Sequence, residues 1–115
     1  MTPAAARRLA TGLLACLLLA GVAASVAPAG DPIVISQRGR RFSPNTVVIT
    51  EGTVVRIVND DRVTHHVYIE NTGMNFDSGE LPVGATVDLR FDRLGSFLVR
   101  CAIHPIMRLN VAVER

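Results

Sequence analysis

Short stretches rich in β-branched and other apolar residues alternate with turn-forming residues along most of this chain. In Thr86–Phe91, apolar and polar residues alternate with a period of two, which is the pattern of a strand with one buried face. Thr53–Asn59 is rich in β-branched residues and stops at two aspartates, Asp60 and Asp61. The predicted strands are 33–35, 46–49, 53–59, 66–69, 86–91, 96–101 and 109–113.

The segments between these predicted strands contain glycine, proline, asparagine and aspartate, which favour tight turns. Many short strands separated by such turns indicate an all-β sandwich or barrel. No part of residues 30–115 has a sustained helical period. Residues 71–85 are the longest stretch without strand character, so we expect a loop or a short irregular strand there.

Residues 1–29 have the pattern of an export signal. Two arginines near the start are followed by an almost unbroken apolar run over 9–24 and then by small residues, with cleavage expected near residue 24 or 29. The run is short for a membrane span, which needs about 20 apolar residues, so a removed signal is favoured over a retained anchor. The chain is therefore predicted to be exported to the periplasm or another compartment outside the cytoplasm, without stable membrane insertion. Residues 30–115 would form one folded domain.

Removal of this signal changes the charge and cysteine balance. All twelve basic residues are arginine, and losing Arg7 and Arg8 leaves ten against ten acidic residues. A neutral domain without a basic tract argues against a nucleic-acid partner. Of the two cysteines, Cys16 would also be lost, which leaves Cys101 unable to form an internal disulfide. Cys101 is then either a buried thiol or a metal ligand.

Residues 101–107, Cys-Ala-Ile-His-Pro-Ile-Met, place a thiolate, an imidazole and a thioether at three-residue spacing. Together with a second imidazole, Cys101, His104 and Met107 make up the donor set of a blue-copper electron-transfer site. Soft sulfur ligands favour Cu(I), imidazoles accept both oxidation states, and a thioether is a poor ligand for zinc. The chain has three histidines, too few for a further copper site, so we predict that it is not a multi-copper enzyme.

The second imidazole has two candidates, His65 and His66. Successive side chains of a strand point to opposite faces, so His65 shares a face with Val67 and Ile69, and His66 shares the other with Tyr68. The face with the two aliphatic residues is the expected core face. His65 is therefore the predicted ligand, and His66 is expected to be exposed or to lie beyond the ligands.

Two segments together resemble the cupredoxins, and residues 101–107, the ligand loop, resemble the amicyanin and plastocyanin branch. They are Asn59-Asp-Asp-Arg-Val-Thr-His65-His66-Val67 and Gly95-Ser-Phe-Leu-Val-Arg-Cys101-Ala-Ile-His104-Pro-Ile-Met107. The resemblance covers about residues 32–114. It implies a Greek-key β-sandwich that binds one type 1 copper ion through His65, Cys101, His104 and Met107.

The sequence departs from the family pattern at His66. Cupredoxins commonly have asparagine after the first ligand, where its side chain hydrogen-bonds to the ligand loop. An imidazole can also donate one such bond, but it differs from an amide in size and tautomer. The sequence therefore does not decide whether the His66 imidazole makes the hydrogen bond to the ligand loop that asparagine makes in the family.

The resemblance implies a small, monomeric electron carrier that cycles between Cu(I) and Cu(II). Redox partners would dock transiently at the exposed edge of His104, where Pro105 and Ile106 supply part of an apolar patch. The alternative is a copper delivery or storage module, although such proteins often use exposed methionine and histidine clusters that this chain lacks. A cysteine-dependent enzyme would leave Met107 without a role, and a metal-free adhesion domain would make the donor set a coincidence.

Overall fold

The computed structural model describes Gly21 and residues 30–115, so the predicted signal over 1–29 lies outside the described residues apart from Gly21. The described part contains nine β-strands and no helix, and thus no helix that could span a membrane. The strands are β1 (Ile33–Gln37), β2 (Phe42–Ser43), β3 (Thr46–Thr50), β4 (Thr53–Asn59), β5 (His65–Asn71), β6 (Met74–Leu81), β7 (Thr86–Phe91), β8 (Gly95–Arg100) and β9 (Arg108–Glu114).

These strands form two mixed sheets. One sheet has the order β2-β1-β4-β7 and the other has the order β3-β9-β8-β5-β6. Neighbouring strands are antiparallel except for the parallel pairs β1 with β4 and β3 with β9. The chain changes sheet five times, on both sides of β3, between β4 and β5, and on both sides of β7. The predicted all-β Greek-key sandwich is confirmed.

The core lies between the two sheets and is built from alternate residues of each strand. Val55 and Ile57 on β4 and Val67 and Ile69 on β5 belong to the same core cluster, and none of the four is more than 1 % exposed. Burying an aliphatic side chain of this size stabilises the fold by about 1.5–3 kcal/mol. The alternation seen in the sequence therefore reports which face of each strand is buried.

All seven predicted strands are present, but residues 71–85, expected to be a loop or a short irregular strand, contain a longer strand than expected. That stretch contains β6, which with eight residues is longer than any other described strand. Asparagine, aspartate and glycine are uncommon in strands, and β6 tolerates them because it is an edge strand with half-exposed faces. Its pairing with β5 is interrupted by a register shift between His66 and Tyr68. The two-residue strand β2 was also not predicted.

Strand ends bring the predicted ligands to one end of the sandwich. β8 ends at Arg100 and β9 begins at Arg108, and these two residues are paired, so 101–107 closes a hairpin. A hydrogen bond from the Met107 N–H to the His104 carbonyl, 2.9 Å long, tightens this loop. Tyr68 of β5 pairs with Arg100, which places the start of β5 beside the same loop.

Candidate metal centre

Three predicted ligands meet in one cluster. His65 Nδ1 and His104 Nδ1 are 3.2 Å apart, and the Cys101 Sγ lies 3.8 Å from each of them. The two imidazole rings meet edge to face, with centroids 5.0 Å apart. Among the described residues this is the group of His, Cys, Asp and Glu side chains that could hold a metal ion.

The triangle has the right size for a single ion. Zinc gives the scale for a first-row metal, with bonds of about 2.0–2.1 Å to histidine nitrogen and about 2.3 Å to cysteine sulfur. An ion near the centre of edges of 3.2, 3.8 and 3.8 Å would reach all three donors at such distances. One thiolate and two imidazoles in a trigonal arrangement suit copper. The cluster could therefore hold one copper ion.

The cluster is shielded from water on the side of the sandwich core. His65 is 0 % exposed and Cys101 is 1 % exposed, whereas His104 is only partly buried. Burial is the main reason why the pKa of His104 is lowered, and the nearby charges of His65 and Arg40 lower it further against the opposing effect of Asp61. A lowered pKa keeps this imidazole neutral, which is the form that binds a metal.

Met107 lies at the end of the same loop and is 1 % exposed. It belongs to the hydrophobic core together with Cys101, so its thioether is held within the sandwich. The structure thus brings His65, Cys101 and His104 together and buries Met107 next to the start of β9. The role of Met107 as a fourth ligand stays a prediction.

His66 contacts the site through its backbone. Its N–H donates to the Cys101 Sγ at 3.4 Å. Its imidazole turns away and Nε2 bonds to the Asp77 carboxylate on β6, and the structure records no bond from this ring to the ligand loop among the described residues. The pKa of Asp77 is lowered, chiefly by the Gly79 N–H and then by His66. The alternation of β5 therefore separated the two histidines as predicted, with His65 inward and His66 outward.

Sequence reasoning missed Asp61, whose Oδ2 lies 2.9 Å from His65 Nε2. The same carboxylate accepts N–H bonds from Arg40 and Arg62, at 2.9 and 2.8 Å. These backbone bonds, and then the contact with His65, lower the pKa of Asp61 strongly. In the sequence Asp61 indicated only the end of a strand. Its spacing of four from His65 carries no signal outside a helix.

Around His104 the surface is partly apolar and partly basic. Ile106, next to the buried Met107, is 81 % exposed, and Ile103, next to His104, is 46 % exposed. A groove of about 470 Å³ lies beside the loop. Its lining includes Phe42, Ile106 and Met107 together with the arginines Arg40, Arg41 and Arg108.

No protein-family model and no curated protein matches the sequence. Solved structures do match. A variant of amicyanin in its reduced Cu(I) form at pH 4 superposes with a TM-score of 0.68 and 21 % identity, covering 76 % of this chain and 86 % of that chain. The "Novel Purple Cupredoxin" from Nitrosopumilus maritimus superposes with a TM-score of 0.64 and 26 % identity, covering 71 % of this chain and 99 % of that chain.

A third match is the copper-containing nitrite reductase from Thermus scotoductus SA-01, with a TM-score of 0.70 and 23 % identity. The match covers 81 % of this chain but only 24 % of the reductase chain, so this chain spans about a quarter of that protein. These superpositions agree with the all-β, two-sheet topology of the described residues. The chain has the cupredoxin fold.

Proposed function

We propose that this protein is a small, exported blue-copper electron carrier that acts as a monomer and passes single electrons between redox partners. The observation that carries the proposal is the triangle of His65 Nδ1, His104 Nδ1 and Cys101 Sγ at one end of the sandwich. The copper-containing proteins among the structural neighbours support the choice of metal. Met107 would supply a fourth, weaker donor through its thioether sulfur.

Bound copper would supply a Cu(II)/Cu(I) couple. The chain's own residues would keep the change in geometry between the two states small, because His65 and Cys101 are fixed by burial in the core. The His66 N–H would partly balance the charge of the Cys101 thiolate. His104 is the only partly buried member of the cluster, so electrons would enter and leave through its exposed edge.

The same residues support a carrier over an enzyme. His65 and His104 belong to the cluster, and the third histidine, His66, is bonded to Asp77. No histidine remains for the second copper site that a multi-copper enzyme needs. Burial of the donors also favours a carrier over a copper delivery or storage module, since releasing the metal would require the sandwich end to open.

Titration of the metal-free protein with Cu(II) tests the proposal. We expect binding of one equivalent with intense visible absorption, because a thiolate bonded to Cu(II) gives a charge-transfer band. Stoichiometry is read from the end point of the absorption titration, and a parallel titration with Zn(II) is the colourless control. A protein that stays colourless with Cu(II), or that binds Cu(II) without the charge-transfer band, would overturn the proposal of a blue-copper electron carrier.

The docking surface is proposed to lie around His104, Pro105 and Ile106. Ile106→Asp should slow electron self-exchange between the Cu(I) and Cu(II) forms about tenfold or more, because two apolar patches must meet and a charge there is costly to bury. The rate is measured by NMR line broadening in mixtures of both forms.

Val34→Asp is the matched control for this variant, since Val34 is 57 % exposed on β1 and lies outside the ligand loop. It should leave the self-exchange rate within about twofold of the unchanged protein after correction for net charge. Equal rates for the two variants would place the docking surface elsewhere.

A further inference from the structure

We propose that Asp61 is a positioning residue of the metal centre, which orients His65 and favours Cu(II) over Cu(I) through its negative charge. The inference rests on the copper function proposed above. Asp61 contributes no donor atom to the triangle of His65, Cys101 and His104, and acts on it through the imidazole ring of His65.

The contact between Asp61 and His65 selects a tautomer. An ionised carboxylate can only accept hydrogen bonds, so the 2.9 Å contact with Oδ2 requires a proton on His65 Nε2. A neutral imidazole with its proton on Nε2 has a free lone pair on Nδ1. Nδ1 is the atom that lies 3.8 Å from the Cys101 sulfur and 3.2 Å from His104 Nδ1. The carboxylate thus leaves the metal-facing nitrogen free to bind.

The carboxylate is itself held in place from two sides. The Arg40 N–H donates to Oδ2 and the Arg62 N–H donates to Oδ1. The Asp61 N–H donates to the side chain of Asn59 at 3.0 Å. The side chain of Asp61 is only 13 % exposed and that of His65 is 0 % exposed, so water competes little with their bond. Asp61 is therefore a fixed, ionised group rather than a surface charge.

The turn that supplies the Arg40 amide has an unusual backbone. Arg40 has a φ of +53°, in the left-handed region that residues other than glycine rarely adopt, and it follows Gly39 with a φ of +60°. A bond from the Arg38 N–H to the Arg41 carbonyl, 3.0 Å long, closes this turn. Such conformations persist where surrounding contacts hold them. Here the turn is held by the bond from Arg38 to Arg41 and by the bond from Arg40 to Asp61.

The negative charge of Asp61 lies across the His65 ring from Nδ1, the nitrogen that would bind the metal. It stabilises the more positive oxidation state and makes the ligand nitrogen more basic. We expect that removing the charge shifts the equilibrium towards Cu(I) about tenfold, which for a one-electron couple is about 59 mV.

The test compares two copper-loaded variants of the full chain, Asp61→Asn and Asp60→Asn. Both remove one negative charge at adjacent positions, but Asp60 is exposed and bonds to the Ser36 hydroxyl at 2.6 Å. We expect the reduction potential of D61N to rise by about 59 mV and that of D60N to rise by less than half as much. Equal shifts in the two variants would overturn the proposal.

A second measurement needs no substitution. Long-range ¹H–¹⁵N NMR of the imidazoles assigns the tautomer of His65 in both the metal-free protein and the Cu(I) form, and we expect the proton on Nε2 in both. A proton on Nδ1 alone in the metal-free protein would overturn the proposal, even if D61N does not fold. If the unchanged protein binds no copper, the proposed function fails, whereas the metal-free spectrum still tests the link between Asp61 and His65.

Discussion

Replacing Cys101 with serine is expected to abolish the visible absorption of the Cu(II)-loaded protein. Cys101 is the only cysteine in residues 30–115, is 1 % exposed, and lies 3.8 Å from each metal-facing nitrogen. A serine hydroxyl does not ionise near neutral pH and is a harder ligand than a thiolate. Substituting a residue that only contacts a metal ligand lowers metal affinity about 10–100-fold. Because Cys101→Ser replaces a predicted ligand itself, the copper affinity should fall by more than this.

His66→Ala is the matched control for this substitution. It removes an imidazole one residue from a predicted ligand, but keeps the backbone N–H that donates to the Cys101 sulfur. Absorption titrations of both variants, with circular dichroism of the metal-free forms as a check on folding, give the comparison. The band should persist in H66A with an affinity within about tenfold of the unchanged protein. A band that survives in C101S, or disappears equally in H66A, would contradict the assignment of the ligands.

The sequence predicted the strands wherever burial is one-sided. In β5 and β7 the apolar positions alternate because one face of each strand meets the core, and this period can be read without any structure. The same alternation gave His65 as the inward histidine, since a polar residue in phase with Val67 and Ile69 must also be buried. Cys101 and His104 lie in one loop, so the contact between them could be expected from their spacing alone.

Features that depend on contacts between distant loops could not be predicted in this way. β6 has no apolar alternation because it is an edge strand, and only its pairing with β5 defines it. Asp61 reaches His65 because the turn containing Arg40, 21 residues earlier in the chain, donates to its carboxylate. The bond from the His66 imidazole to Asp77 likewise depends on β6. Each of these contacts requires the register of the folded sheets.

The loop that carries Asp61 and leads into His65 is tied to the sandwich by one buried side chain, that of Asn59. Asn59 is 0 % exposed, and its Nδ2 donates to the carbonyls of Val63 and Leu81, both at 2.9 Å. Its Oδ1 accepts from the Asp61 N–H at 3.0 Å. One amide therefore joins the end of β4 to the approach to β5 and to the end of β6.

Asn59→Ala should lower the free energy of unfolding by about 3 kcal/mol, because three hydrogen bonds of about 0.5–1.5 kcal/mol each are lost and two carbonyls lose a partner. For a domain of this size that corresponds to a melting temperature about 12–24 °C lower. Thermal and denaturant unfolding of the metal-free variant give both quantities. Working on the metal-free form separates this loss from any change in copper binding.

Asn110→Ala is the control, since Asn110 is exposed on β9 and the bond it makes to the Asn45 carbonyl uses its backbone N–H. It should change the free energy of unfolding by less than about 0.5 kcal/mol. If the two variants were equally stable, Asn59 would not be the residue that holds the loop. If only N59A is destabilised, its copper affinity should also fall, because the loop it releases leads into His65 and carries the Asp61 carboxylate that orients it.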